Sequence, residues 1–324
     1  MTGAASSPFL SPSIPTLPCY LGSGSQGQFT TVDKATVSVL DRGFIFGDGI
    51  YEVITVYGGK PFRFEPHMAR LARSLSEVRI PNPFTQPQWL ALVDQLIAIE
   101  SIARSEDSIR AHGQNDSKNY LIYLQITRGV ALRDHVMPQG VVPTVFMMRS
   151  PLNLPVAQAR EQGVSCVTAD DFRWEKAHIK STSLLGNVFA RMISFDVGAT
   201  ETVMFRGDAL SEGASSNVWV VKDGGVFGPP KDHRVLEGIR YGLIEEMCRA
   251  CGLGFALRRV SRQEVMEADE LLLSSATKEV LPITQLDGRA VGSGKPGAAY
   301  AKLYAAYQTA KQAECGVSDR ILAS

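Results

Sequence analysis

Near the middle of the chain, Pro151-Leu-Asn-Leu-Pro155 sets two prolines four residues apart, and regular structure does not run through such a segment without losing backbone hydrogen bonds. On each side lies a stretch in which strand and helix patterns are mixed and which is long enough for its own core. This predicts an α+β chain of two lobes without internal repeats, residues 28–150 and 156–316, joined by a linker at 151–155 and separated by a cleft. A total of 324 residues suits that division, because single cores stop growing at about 250–300 residues.

In the first lobe, alternation over Thr36–Leu40 predicts a strand. Gly43, Gly47 and Gly49 then punctuate a turn before a second strand over Tyr51–Tyr57. Met68, Leu71, Leu75 and Val78 recur at helical intervals, predicting a helix over 67–78, and a second follows over 88–102. Residues 105–117 are polar and lack periodicity, so they read as a surface loop before strands at 120–127 and 143–148. The second lobe reads as strands at 164–168, 202–205, 217–221 and 270–274, with helices at 183–195, 239–251 and 298–313. Residues 1–27 are rich in Ser, Pro and Gly and read as an extended or disordered tail outside the fold.

Charge narrows the possible functions. With 33 basic and 33 acidic residues the net charge is zero, which removes the electrostatic footprint of nucleic-acid binding. The 44% hydrophobic content excludes a disordered chain. Five scattered cysteines in a chain this large point to a reducing compartment, so the expected location is the cytoplasm. Cys248 and Cys251 lie on a predicted helix with no second pair to complete a zinc site, and no metal is expected. No run approaches the roughly 18 apolar residues of a membrane span, and no export signal opens the chain.

The signatures of zinc proteases, α/β-hydrolases and P-loop proteins are absent. Three segments carry other chemistry. Leu210-Ser-Glu-Gly-Ala-Ser-Ser-Asn217 concentrates an acid, hydroxyls and an amide between two strands, although Ser, Asn and Gly also favour ordinary turns. Leu236-Glu-Gly-Ile-Arg240 opens a helix, where free N–H groups and the helix dipole favour an anion. Lys180 follows an apolar residue just before a helix, a setting in which partial burial lowers an amine's pKa, whereas most lysines are merely solvated.

The ordered set Arg42-Gly-Phe-Ile-Phe-Gly-Asp-Gly-Ile-Tyr-Glu52, His67-Met-Ala-Arg-Leu71, His178-Ile-Lys180, Glu212-Gly-Ala-Ser-Ser-Asn217, Leu236-Glu-Gly-Ile239 and Ala268-Asp-Glu-Leu271 resembles the fold-type IV pyridoxal-phosphate aminotransferases. It covers about residues 32–313, and within the class the first motif is most similar to the D-amino-acid aminotransferases. The resemblance implies a two-domain α+β fold with pyridoxal 5′-phosphate at the domain interface, and a homodimer whose partner lobe completes the pocket. It makes Lys180 the Schiff-base lysine and Glu212 the carboxylate beside the pyridine nitrogen. Arg70 would bind the phosphate with the backbone at Ile239-Arg240 and Ala276-Thr277, Leu236 would pack beneath the ring, and Ser215 would lie near it. Arg133 and His135, with Tyr51, would hold the substrate carboxylate, and Asp134 between them adds a negative charge that either opposes the carboxylate or pairs with Arg133.

Two positions depart from the family, which has threonine hydroxyls where this chain has Arg240 and Ala276. The implied reaction moves an amino group between a D-amino acid such as D-alanine and a 2-oxo acid, pyruvate or 2-oxoglutarate, with ping-pong kinetics. Alternatives within the class are an (R)-selective amine transaminase and an L-branched-chain aminotransferase. The alternative outside it is a non-catalytic scaffold protein.

Overall fold

The computed structural model describes residues 16–99 and 118–319. The predicted loop at 105–117 and the first part of the predicted tail lie outside the described residues.

Two sheets organise the chain. The first holds β1 (Pro18–Ser23), β2 (Gln26–Thr31), β3 (Gly49–Tyr57), β4 (Lys60–Pro61), β5 (Tyr120–Thr127) and β6 (Thr144–Pro151), in the order β2-β1-β6-β5-β3-β4. Every neighbouring pair is antiparallel. Helices Phe64–Glu77 and Gln86–Ala98 share one core with this sheet, in which Met68, Leu71, Leu75, Trp89, Val93 and Leu96 meet Ile50, Ile54, Ile122, Leu124 and Ile126. Removing a side chain such as that of Leu75 costs about 2–5 kcal/mol, because its neighbours close the gap only in part.

The second sheet holds β7 (Val164–Asp170), β8 (Glu201–Arg206), β9 (Ala209–Gly213), β10 (Asn217–Lys222), β11 (Gly225–Gly228), β12 (Gly254–Leu257), β13 (Glu270–Ser275), β14 (Glu279–Leu286) and β15 (Arg289–Ala290). Its order is β12-β11-β10-β13-β14-β7-β8-β9, with β15 paired to β14. The central strands are apolar on both faces because both faces are covered. Trp219, Val221 and Leu272 pack with helices Arg240–Ala250 and Ala298–Cys315, while Val218, Val220, Leu271 and Leu273 pack on the opposite side with Val203, Phe205 and Val265. Tyr57, the last residue of β3, and Phe62, just after β4, belong to the Trp219 core, so the two sheets are knit by shared packing. Among the described residues no helix is long and apolar enough to cross a membrane.

Three local expectations are corrected. Residues 18–27 are not tail: β1 and β2 form a hairpin on the edge of the first sheet, with Cys19 and Tyr20 buried. The glycines there permit close packing, since a Cβ on Gly27 would stand 2.4 Å from the Tyr20 ring. Thr36–Leu40 is irregular and exposed, because its alternating valines have no facing surface to bury against. The polar segment 210–217 is not one turn. Its first part is the buried strand β9, and only the residues between Gly213 and Asn217 turn. Pro151 ends β6, and Leu152 and Leu154 pack against the Trp219 core.

Candidate active site

A cavity of about 570 Å³ opens between the two sheets. Its wall includes Tyr51, Arg70, Lys180, Glu212, Ser215, Leu236, Ile239, Arg240, Ala276 and Thr277, which were expected to share one site. These residues come from strands, two helices and turns that only tertiary folding brings together.

Lys180 sits in the connection between β7 and helix Leu185–Asp196, and that connection is pinned to the end of β3. Tyr51 N donates to the Lys180 carbonyl at 3.0 Å, and Thr182 N donates to the Gly49 carbonyl at 2.9 Å. The Lys180 Nζ lies 4.0 Å from the centroid of the Tyr51 ring, within cation–π range. No hydrogen bond or ion pair engages this amine among the described residues, so its lone pair becomes available on losing a proton.

Glu212 projects from β9 into a buried polar setting. Arg173 Nη1 donates to its Oε1 at 2.8 Å, while Asn217 Nδ2 and Leu236 N each donate to Oε2 at 3.2 Å. Burial pushes the carboxyl up to about 7 against the lowering effect of Arg173. A cationic N–H beside it would favour the ionised form. Ser215 donates to Glu201 Oε2 at 2.8 Å and accepts from Lys278 Nζ at 3.1 Å.

Helix Phe64–Glu77 buries a polar stripe as well as an apolar one. His67, Arg70 and Ser74, spaced by three and four, face Glu52 and the Lys180 connection. Arg70 donates to both Glu52 oxygens at 2.8 and 2.7 Å and reaches the Glu237 carbonyl at 3.1 Å. Burial alone would raise the Glu52 carboxyl, but Arg70 and His67 outweigh it and hold it well below the usual carboxylate range. Burial pushes His67 down to about 4.

The turn before helix Arg240–Ala250 closes the same end of the cavity. No side chain caps this helix. A Cβ on Gly238 would stand 2.1 Å from Asn217 Oδ1, so only glycine lets the turn approach so closely. Arg240 is buried, and its Nε has no partner.

Two expected site residues do not join this cavity. Arg133 and His135 are exposed and lie against Phe46, at 5.5 and 5.4 Å from its ring centroid. The carboxylate of Asp134 accepts from Val136 N at 3.0 Å, and its carbonyl accepts from Arg42 Nη1 at 2.6 Å. Arg173 was missed. Its only trace in the sequence is Asp171 two residues earlier, a pairing common in solvated loops, and here it ties the Asp171 and Glu212 carboxylates together.

The cavity therefore combines an unpartnered lysine, a buried carboxylate, and an end rich in guanidinium groups with an orphaned buried nitrogen. These groups suit an aldehyde, a ring nitrogen and an anion, which are the parts of pyridoxal 5′-phosphate. Residues 49–286 match the family model for amino-transferase class IV. The chain is 34% identical over 271 residues to D-alanine aminotransferase from Bacillus licheniformis, covering 84% of this chain and 90% of that one. It is 36% identical to the protein of that name from Staphylococcus epidermidis, at 84% and 91% coverage. Among solved structures, a fold IV transaminase from Curtobacterium pusillum superposes with a TM-score of 0.72, at 25% identity, over 89% of this chain and 98% of that one. The branched-chain amino acid aminotransferase of Escherichia coli shares the fold at a TM-score of 0.73 and 22% identity, over 94% and 97% of the two chains. The chain belongs to the class IV aminotransferases. It is a pyridoxal 5′-phosphate-dependent enzyme of fold type IV that takes an amino donor and a 2-oxo acid.

Proposed function

We propose that this protein moves an amino group between a D-amino acid, such as D-alanine, and pyruvate or 2-oxoglutarate, in two half-reactions with ping-pong kinetics. The observation that carries this reading is the unpartnered Lys180 amine in one cavity with buried Glu212, in a chain 34–36% identical to D-alanine aminotransferases. Pyridoxal 5′-phosphate, when bound, supplies an aldehyde for the amino group and an electron-withdrawing ring that stabilises charge at the substrate carbon.

The chain's own residues divide the remaining work. Lys180 Nζ would hold the cofactor through its aldehyde carbon and, once the incoming amino group displaced it, would be free to take the proton from the substrate Cα and return it to that former aldehyde carbon. Glu212 would keep a proton on the ring nitrogen, and Arg173, opposing the effect of burial, favours the ionised form of Glu212. Leu236 supports the ring. Arg70, Ser215, Ile239, Arg240, Ala276 and Thr277 hold the phosphate end and its surroundings. Tyr51 fixes the lysine and faces the substrate.

Arg133 and His135 stand outside their own cavity, so their proposed work on the substrate carboxylate requires a second copy of the chain. Exposed apolar side chains support a homodimer: Leu132, next to Arg133 in the chain, and Phe44 are 83% and 72% exposed, and Leu185, Val188 and Phe189 stand out from helix Leu185–Asp196. This reading keeps the second lobe at 156–316 and the joint at 151–155, starts the first lobe at β1 rather than at residue 28, and puts the enzyme in the cytoplasm, where its unpaired cysteines stay reduced.

A donor panel tests the function. D-alanine should transfer its amino group to pyruvate or 2-oxoglutarate faster than L-leucine or (R)-1-phenylethylamine does. Lys180→Ala should lose turnover together with the visible absorbance band. Preference for L-leucine, or full activity without Lys180, overturns the reading.

A further inference from the structure

Five non-glycine residues hold a positive φ among the described residues, and Glu279, at φ 56°, is the one of them that is buried. Two of the others, Asp223 and Asp287, each precede a glycine in an exposed hairpin turn, where a short polar side chain tolerates left-handed backbone. A glutamate side chain is too long for that local bonding, so its surroundings must impose the conformation. They act through the carboxylate. Tyr57 Oη and Lys311 Nζ donate to Oε1 at 2.9 and 3.2 Å, while Arg160 Nη2 and Gln308 Nε2 donate to Oε2 at 2.8 and 3.3 Å. Tyr57 ends β3 in the first sheet, Arg160 stands in the short helix Ala157–Gln162 after the joint, and Gln308 and Lys311 come from helix Ala298–Cys315. All four are buried.

The turn that Glu279 ends is part of the cavity. Ser275 pairs with Glu279 across the β13–β14 hairpin, and Ser275, Ala276 and Thr277 line the wall. Lys278, the last residue of the turn, anchors elsewhere: its Nζ donates to Glu201 Oε2 and to Ser215 Oγ, both at 3.1 Å. The two residues that close the hairpin thus tie it to separate parts of the fold, one to the surroundings of Ser215 and the other to the first sheet and the C-terminal helix. We propose that Glu279 is a positioning residue, whose clamped carboxylate fixes the backbone that presents Ala276 and Thr277 to the cavity. This inference rests on the aminotransferase reading, under which that wall faces the phosphate of the cofactor.

Glu279→Gly separates the turn from its clamp, since glycine takes the same φ without steric cost while the carboxylate is gone. Pyridoxamine 5′-phosphate and unphosphorylated pyridoxamine differ only in the phosphate. The ratio of their dissociation constants for the full chain, taken well below each variant's melting temperature, therefore reads the shape of that wall and not global stability. Glu279→Gly should raise the constant for pyridoxamine 5′-phosphate about tenfold or more and that for pyridoxamine by no more than about twofold. Tyr57→Phe, which removes one of the four donors and keeps the ring, should shift the ratio about threefold in the same direction and should add nothing to the glycine variant. Glu279→Gln gives the same comparison of ligands if the glycine variant does not fold. Lower melting temperatures with an unchanged ratio would make the cluster a tie between the sheets and nothing more, which overturns the inference and leaves the aminotransferase reading standing. A wild-type chain that binds neither ligand overturns both.

Discussion

His67 shows how one side chain couples the site to the stability of the chain. Its ring is buried, with Nδ1 2.8 Å from Glu52 Oε2, and its pKa falls from 6.5 to about 4 mainly through burial. Between those values the unfolded chain binds a proton that the folded chain refuses, so this contribution is complete above pH 6.5 and is lost as pH falls toward 4. Chemical denaturation at about pH 7.5 and about pH 5 should therefore show a loss on the order of 2 kcal/mol from this group. His67→Gln should start less stable yet lose less on acidification; an unchanged difference between the two pH values would refute the assignment. At this scale the residues that line the cavity were legible where a family resemblance carries them, because Lys180, Glu212 and Arg70 stand in the motifs that make that resemblance. Arg173 was not, since what distinguishes it is a carboxylate 39 residues away that only β9 brings to it.

Elements were legible where burial imposes a period. Helix Phe64–Glu77 and strands β3, β5 and β10 follow from apolar spacing because one or both faces are covered. The hairpin of β1 and β2 escaped, because its glycines and serines look like tail composition until the Tyr20 ring is placed across Gly27. That contact makes a prediction: Gly27→Ala should lower stability by about 1–3 kcal/mol, measured as a drop in melting temperature, because the added methyl cannot fit beside the ring without moving the strand. An unchanged melting temperature would mean that the hairpin yields freely. The opposite error at Thr36–Leu40 has the same cause, since alternation marks a strand only when one side has something to pack against.

At the scale of the whole molecule, the proposed dimer is testable through helix Leu185–Asp196. Phe189 is 59% exposed beside Val188 and Leu185, an apolar surface that a charged side chain would keep wet. Phe189→Glu should give the mass of a single chain by light scattering, keep its far-ultraviolet circular dichroism, and lose most transaminase activity. A variant that stays dimeric and active would move the interface elsewhere.

The attachment of the Lys180 connection to β3 reaches furthest. The bonds from Tyr51 N and Thr182 N tie the backbone that carries the Lys180 amine to the sheet opposite the one that carries Glu212. If the halves swung apart like a clamshell, the seam would tear or the amine would be dragged away from its carboxylate. Traffic of substrate and product is thus left to side chains and turns at the rim, with the framework behind them kept still.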